Sequence, residues 1–391
     1  MSRLFNILSI SLLIFLFKDY NFDYYYIELK NEVSLTGVII SLSGYFFLLE
    51  LLNKKKTNSL ALIYCHLVLT PSLALFISGS GSIEVLFYCF ISVIIVMIFS
   101  YNKLHEKNKI YISNYLLLFF SVIFVLINSV ILNTKFDLTL FFLESIYDTR
   151  DFVKEYHNAF TLYLGSFFSK FIIPILLTIS IYRKKYFQIL LCIILLFWYF
   201  LSTSLKTVLF TPFIIYFFYL CRNFDLKKSI NFFILILVAF SVIGYYFFPI
   251  DLLGRRFFYI PATLNEIYIT FFRDKYLYLS YAWYNPFIEY NYMIPPQYLI
   301  SGEFWGDQYT SANNGLISSG FMNFGLIGII FYSVMLGYIF KYFSKDYINY
   351  YIGVMFIFVF IFSTSFFITS LLSHGIILFI IVKSIYEFRS S

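Results

Sequence analysis

The stretch LALIYCHLVLTPSLALFIS, residues 60–78, carries no charged side chain, and the basic cluster Lys54, Lys55 and Lys56 stands just ahead of it. At about 1.5 Å per residue, a helix of this length covers the hydrocarbon core of a bilayer, roughly 30 Å thick. An uninterrupted apolar run with a basic flank reads as a membrane span.

Working outward, the same pattern recurs over about 4–22, 33–52, 83–101, 111–132, 159–181, 187–204, 207–221, 230–249, 323–340, 347–366 and 370–386. Of the 391 residues 61% are hydrophobic, 24% aromatic and only 13% charged, which places the chain in the membrane class. The expected fold is therefore an all-α polytopic integral membrane protein of about twelve transmembrane helices. Residues 1–391 form a single transmembrane domain, with a large loop at 250–322 between the ninth and tenth helices. The apolar run at 4–17 has a signal-like character, but Phe17-Lys18-Asp19-Tyr20 offers no small-residue cleavage site, so it reads as the first span.

The net charge of +7 is a topology signal and not a nucleic-acid one. Lysines and arginines cluster in alternate connections: Lys54–Lys56, then Lys103, Lys107 and Lys109, then Arg183–Lys185, then Arg222, Lys227 and Lys228, then Lys341 and Lys345. With Arg3, Lys383 and Arg389 on the same side, that alternation predicts an even number of crossings with both termini in the cytoplasm, the chain being read as an inner-membrane protein. Only Ser202 to Thr207 separates the seventh and eighth segments. Merging them would turn the next basic loop outward, so they are read as two crossings.

Residues 250–322 then face outward. A loop of this length calls for internal helices or a lid. The part from Pro261 to Phe272 is amphipathic and is expected to lie along the interface with its aromatic side toward lipid. Cys65, Cys89, Cys192 and Cys221 have no paired spacing and read as small hydrophobes, so no metal, disulfide or cofactor is expected. His66 and His374 lie inside spans, as helix-to-helix hydrogen-bonding residues. Lys170, inside the sixth segment, must meet a cavity, a carboxylate or the interface.

Several polar residues are candidates for chemistry. Lys206, at the outer end of the seventh segment, either snorkels to headgroups or meets the phosphates of a lipid-linked substrate. Arg255, Arg256 and Arg273 present forks of donors suited to a pyrophosphate leaving group; contact with anionic lipid, or pairing with Asp251 and Asp274, is the alternative. His157 is a candidate base in an outward loop, or a solvated surface residue. The stretch GEFWGDQYTSANNG, residues 302–315, brings together Glu303, Asp307, Asn313 and Asn314 with Trp305 and Tyr309: carboxylates and amides that bind sugar hydroxyls, and rings that stack on sugar faces. An inert turn would use similar residues. The stretch leads into Asn323-Phe324-Gly325-Leu326-Ile327-Gly328 and, further along, Gly337, small residues that permit close helix packing.

The run SSGFMNFGLIGIIFYSVMLG, residues 318–337, behind a large outward loop with an Asp-bearing polar segment, resembles the Wzy-type O-antigen and polysaccharide repeat-unit polymerases. So does LSTSLKTVLFTPF, residues 201–213, and so does the plan of about twelve spans with one dominant late loop. The resemblance implies a GT-C-like fold. It also implies a glycosyltransferase that joins undecaprenyl-pyrophosphate-linked oligosaccharide units, donor to acceptor, at the periplasmic face, with neither metal nor nucleotide sugar.

It casts Lys206, Arg255, Arg256 and Arg273 as pyrophosphate ligands, with Asn313 and Asn314 beside the substrate. Asp307 is the first choice to orient or deprotonate the acceptor hydroxyl, ahead of Glu303 and His157. A single displacement would invert the donor's anomeric configuration. A chain-length regulator is an implied partner beside the membrane lipids, and nucleic acid is not. No histidine lies between Arg255 and Asn323, which disfavours an O-antigen ligase. A polysaccharide flippase is the main alternative outside the enzymes, and a membrane acyltransferase acting on glycans is a further one.

Overall fold

The computed structural model describes residues 2–23, 34–54, 57–101, 110–111, 113–133, 152, 156, 158–247, 254–282, 285, 287–306, 311–343 and 345–387. Among them the fold is helical apart from one short parallel pairing of Ile110 with Tyr386 and Tyr111 with Glu387. Among the described residues seven helices are long and apolar enough to cross a membrane, or eight if the pair Phe367–Ser373 and Ile376–Ile385, bent by 56°, is a single span. Helices stand at every position where the sequence reads a span. The remaining ones include stretches too short to count by length, such as Ile83–Phe99 and Ile352–Thr364.

The chain packs as two compact units, each built from discontinuous segments. The first, residues 1–104, 224–345 and 359–367, contains α1 (Ser2–Asp23), α2 (Leu35–Leu52), α3 (Ser59–Ile77) and α4 (Ile83–Phe99). The polar residues between these helices serve as caps. The Ser34 Oγ accepts from Gly37 N, Asn58 Oδ1 from Leu60 N, and Ser82 Oγ from Val85 N, each meeting a backbone N–H that the first helical turn leaves without a partner. α3, the stretch quoted at the outset, is buried over 94% of its span. Its His66 hydrogen-bonds Asn231 at 2.7 Å, and Asn231 in turn donates to Asn53, tying α3 to the helix that carries Asn231 and to the end of α2. This is the helix-to-helix role expected of that histidine.

The second unit, residues 105–223, 346–358 and 368–391, holds α5 (Asn114–Ile131), α6 (Ala159–Phe167), a π-helical turn Phe168–Ile172, α7 (Ile173–Tyr182), α8 (Tyr186–Thr203) and α9 (Lys206–Leu220). α8 and α9 are separate helices, and of the two only α8 is long enough to count as a candidate span. Ser204, at φ 53°, ends α8 in the left-handed region, and α9 begins two residues later. Trp198 Nε1 donates to Ser129 Oγ at 2.6 Å, linking α8 to α5.

The first unit resumes with α10 (Leu226–Phe247). A π turn, Arg255–Tyr259, runs directly into α11 (Ile260–Phe271), and α12 (Pro296–Trp305) and α13 (Leu316–Tyr342) follow. Lys227 on α10 reaches the open carbonyls at the end of α2, donating to Leu52 O and Thr57 Oγ1 at 2.6 Å each and also to Lys54 O. α13 is two helices joined at a kink, where Phe324 and Gly325 leave helical geometry. Gly325 sits at φ 61°, and a Cβ there would stand 2.8 Å from the Tyr276 ring, so both backbone and space require glycine. Beyond the kink, a Cβ on Gly337 would lie 2.6 Å from Phe99, which is how α13 approaches α4 so closely.

α14 (Lys345–Tyr350), α15 (Ile352–Thr364), α16 (Phe367–Ser373) and α17 (Ile376–Ile385) complete the chain. The boundary between the units falls within α15, at Phe358 and Val359.

One expectation is corrected. The amphipathic stretch from Pro261 to Phe272 does not lie flat with its aromatic side to lipid. As α11 it is buried continuously from Pro261 to Ile269, packed on α3, α4 and α13. Its polar side chains explain why: Asn265 and Glu266 find partners inside the unit, so both faces of the helix are covered.

Candidate functional site

The polar chemistry of the first unit gathers where α3 turns into α4 and α11 packs against them. Glu266 on α11 is 4% exposed. Its two carboxylate oxygens accept from Ser82 N at 2.9 Å and Ser82 Oγ at 2.8 Å, at the N-terminus of α4. α11 is not among the candidate membrane spans. Burial pushes the Glu266 carboxyl up to about 7, against the opposing pull of the two Ser82 bonds, with the nearby Glu84 adding to the rise. Glu84, in the first turn of α4, accepts from Tyr88 Oη at 2.7 Å and pairs with Arg273, which follows the end of α11.

A second cluster fixes the approach to α13. Asn314 Nδ2 donates to Asn265 Oδ1 at 2.9 Å, to Ser318 Oγ at 2.7 Å and to Pro261 O at 3.1 Å, and Ser318 Oγ donates to Asn265 Oδ1 at 2.8 Å. Asn323 accepts from Leu279 N through Oδ1 and donates to Ser319 O, while its backbone carbonyl accepts from Tyr278 N. Residues 277–279 are thereby held on the kink of α13. Between these two anchors lies an apolar cluster built on Tyr268, Phe272, Ile300 and Met322, with half-buried Tyr281, Tyr290, Tyr292, Phe304 and Trp305 around it. Tyr268 Oη donates to Ala312 O at 3.0 Å, and Gly306, at φ 67°, ends α12 in the left-handed conformation.

The sequence-level candidates fall as follows. His157 and Asp307 lie outside the described residues. Glu303 is exposed on α12 and Asn313 is exposed just ahead of α13, whereas Asn314 is buried with its amide committed to the internal network. Arg255 is half-buried and Arg256 exposed in the π turn, and Arg273 is exposed in its pair with Glu84.

Arg255 and Arg256 are adjacent, but Arg273 stands past the other end of the same continuous helix. At about 1.5 Å per residue the separation is roughly 25 Å, far more than one pyrophosphate spans. Arg273 therefore does not join Arg255 and Arg256 at a single pyrophosphate, whereas those two stand side by side. Lys206 opens α9 in the second unit and is half-buried.

Sequence reasoning missed Glu84 and Glu266 as site residues. The available signal was the Ser82-Ile83-Glu84 start of an apolar segment, which reads as a helix cap and conceals the partner that comes from far along the chain. Among the described residues no group of histidines, cysteines and carboxylates has the arrangement of a metal site. Comparison with protein-family models, with curated proteins and with solved structures returns no match.

Proposed function

We propose that the chain polymerises undecaprenyl-pyrophosphate-linked oligosaccharide units at the periplasmic face of a bacterial inner membrane. In this reading it has about twelve spans, a GT-C-like plan and both termini in the cytoplasm. The observation that carries the reading is the aromatic cluster between α10 and α13. The described residues between 254 and 323 form a buried aromatic and aliphatic base with half-buried tyrosines, Phe304 and Trp305 at its edge, and Arg273 pairs with Glu84. Aromatic rings with a polar rim are the surfaces on which sugar rings stack.

The separation of the arginines fits a polymerase with two lipid-linked substrates. Donor and acceptor each carry a pyrophosphate, so cations at the two ends of α11 serve one carrier each. The acceptor's sugar chain then spans the distance between them. The acceptor hydroxyl attacks the donor's anomeric carbon, and the bond from that carbon to the pyrophosphate oxygen breaks. The electron pair leaves with undecaprenyl pyrophosphate, whose charge the arginine forks meet. The hydroxyl proton passes to a carboxylate, Asp307 before Glu303. One displacement inverts the anomeric centre, and NMR comparison of donor and product linkages checks this.

The test is the size ladder of surface polysaccharide in a null strain and in the same strain with the gene restored. A null that carries single repeat units, with the ladder returning on restoration, supports the polymerase. An unchanged ladder sinks it. A flippase is the second reading, favoured by the broken pair α16–α17, since discontinuous helices line transport sites. Loss of every substituted form in the null would point there.

A further inference from the structure

In the second unit α7, α8 and α9 pack on one another, and their seam holds a groove of about 630 Å³. That volume falls within the range of small-molecule sites, about 300–1,000 Å³. Leu177, Ile181, Leu196 and Val208 form a buried, wholly apolar floor. The walls run from Tyr186 to Phe197 on α8 and from Tyr219 back to Val208 on α9. At about 1.5 Å per residue each wall is about 16 Å long. One leaflet is as deep, being half of a hydrocarbon core roughly 30 Å thick. α8 is itself a candidate span, and so is the stretch Thr161–Tyr182 that ends in α7.

The end of the groove beside the turn from α7 to α8 differs in kind. Lys184, Tyr186, Tyr216 and Tyr219 line it, and the lysine is exposed. Arg222 is held at the same end: its Cζ stands 4.3 Å from the centroid of the Tyr219 ring, and its Nη1 donates to Tyr219 O at 3.0 Å. Tyrosine rings with basic side chains are the composition of the headgroup level.

Lys184 carries a second mark. Its N donates to Ile181 O at 3.1 Å and Lys185 N donates to Ser180 O at 3.0 Å, the paired bonds that close a helix through one left-handed residue. Glycine takes that position without strain, whereas here a lysine holds it at φ 55°. Backbone strain of this sort collects at binding sites.

We propose that the groove binds one anionic phospholipid of the leaflet beside the basic turn, with an acyl chain along α8 and α9 and the headgroup phosphate met by Lys184 and Arg222. A phospholipid suits both ends of the groove, since its chains fill one leaflet and its charge sits at the leaflet's edge. None of these residues belongs to the glycan-polymerase reading, so the site stands if that reading fails.

The test titrates the purified full-length protein in detergent with dioleoyl phosphatidylglycerol and dioleoyl phosphatidylcholine, with bound lipid counted by native mass spectrometry. The anionic lipid should bind roughly tenfold more tightly, as two basic residues at a headgroup imply. Lys184→Gln combined with Arg222→Gln should bring the two lipids within about twofold of each other. Lys228→Gln, at an exposed cation of the first unit, should leave both affinities unchanged. Ile193→Trp, which puts a ring into the groove from its wall, should weaken both.

Equal affinity for the two lipids, or the full preference in a folded double variant, overturns the site. Displacement by glycerol 3-phosphate overturns it by marking a free-phosphate site, and displacement by equimolar farnesyl phosphate does so by assigning the groove to a prenyl carrier. Photolabelling of the unaltered protein covers the case in which the variants do not fold. A phosphatidylglycerol with a diazirine midway along one acyl chain should leave adducts within 186–197 or 208–219 that excess unlabelled lipid suppresses. Adducts confined to other segments, or none that the excess suppresses, overturn the site.

Discussion

The two units treat buried lysines differently. In the first, Lys227 is 8% exposed and its three N–H groups end on two carbonyls and a hydroxyl at the end of α2, so the charge does structural work. In the second, Lys170 is equally buried and meets another base. In the first unit Glu266 is met by Ser82 and Asn265 by Asn314. The second holds a cation whose described partner adds no negative charge. Buried lysine charge is thus tied off by carbonyls and a hydroxyl in one unit and shared with an imidazole in the other.

The sharpest way to break this comparison is to replace each lysine with methionine, which keeps the apolar stem and removes the charge. Lys227→Met leaves the Leu52 and Lys54 carbonyls without their donor and should cost about 3 kcal/mol. Lys170→Met removes a desolvated charge without stranding a carboxylate and should lower stability by less than about 1 kcal/mol, or raise it. Thermal or denaturant unfolding in one detergent reads both. Similar losses at the two positions would show that Lys170 is structural as well.

Glu266 gives the next effect, and it has a sign. Its folded-state pKa is raised from 4.5 to about 7, so between those values the unfolded chain ionises while the folded chain stays protonated. Its contribution to stability is therefore lost as pH rises through that window, by about 2 kcal/mol. The full shift at about 1.4 kcal/mol per unit gives about 3, part of which hydration of the folded state relaxes. Glu266→Gln keeps an acceptor for Ser82 N and offers a donor to Ser82 Oγ, so it should flatten the profile between pH 4.5 and 7. An unchanged slope would mean that Glu266 is more hydrated than its burial indicates.

How much of this was legible in the sequence follows from the range of each interaction. Helices were legible because apolar run length and basic flanks are local quantities, and their caps, such as Asn58 and Ser82, lie beside the helices they serve. The burial of α11 was not, because what turns an amphipathic stretch inward is the match of Asn265 to Asn314 and of Glu266 to Ser82. Those partners are remote in the chain and invisible to periodicity. The arginines were legible as donors but not as a set, since residue type says nothing of the helix that holds Arg255 and Arg273 apart. Lys170 announced itself as an anomaly within an apolar run, yet its partner His374 became visible only when the chain was folded.

The smallest stability effect separates architecture from function most cleanly. Arg273 pairs with Glu84 while both side chains keep contact with solvent, at 55% and 35% exposure, and exposed pairs of this kind contribute about 0–1 kcal/mol. Arg273→Ala should therefore leave unfolding almost unchanged. If the arginine meets a carrier pyrophosphate, the same variant should shorten or abolish the polysaccharide ladder at normal protein levels, because a charge-assisted fork to phosphate is lost where the leaving group departs. Arg273→Lys should restore only part of it, since a lysine cannot present the paired donors. A ladder of full length in Arg273→Ala would leave Arg273 as an exposed ion pair and move the search for the leaving-group cation to Arg255, Arg256 and Lys206.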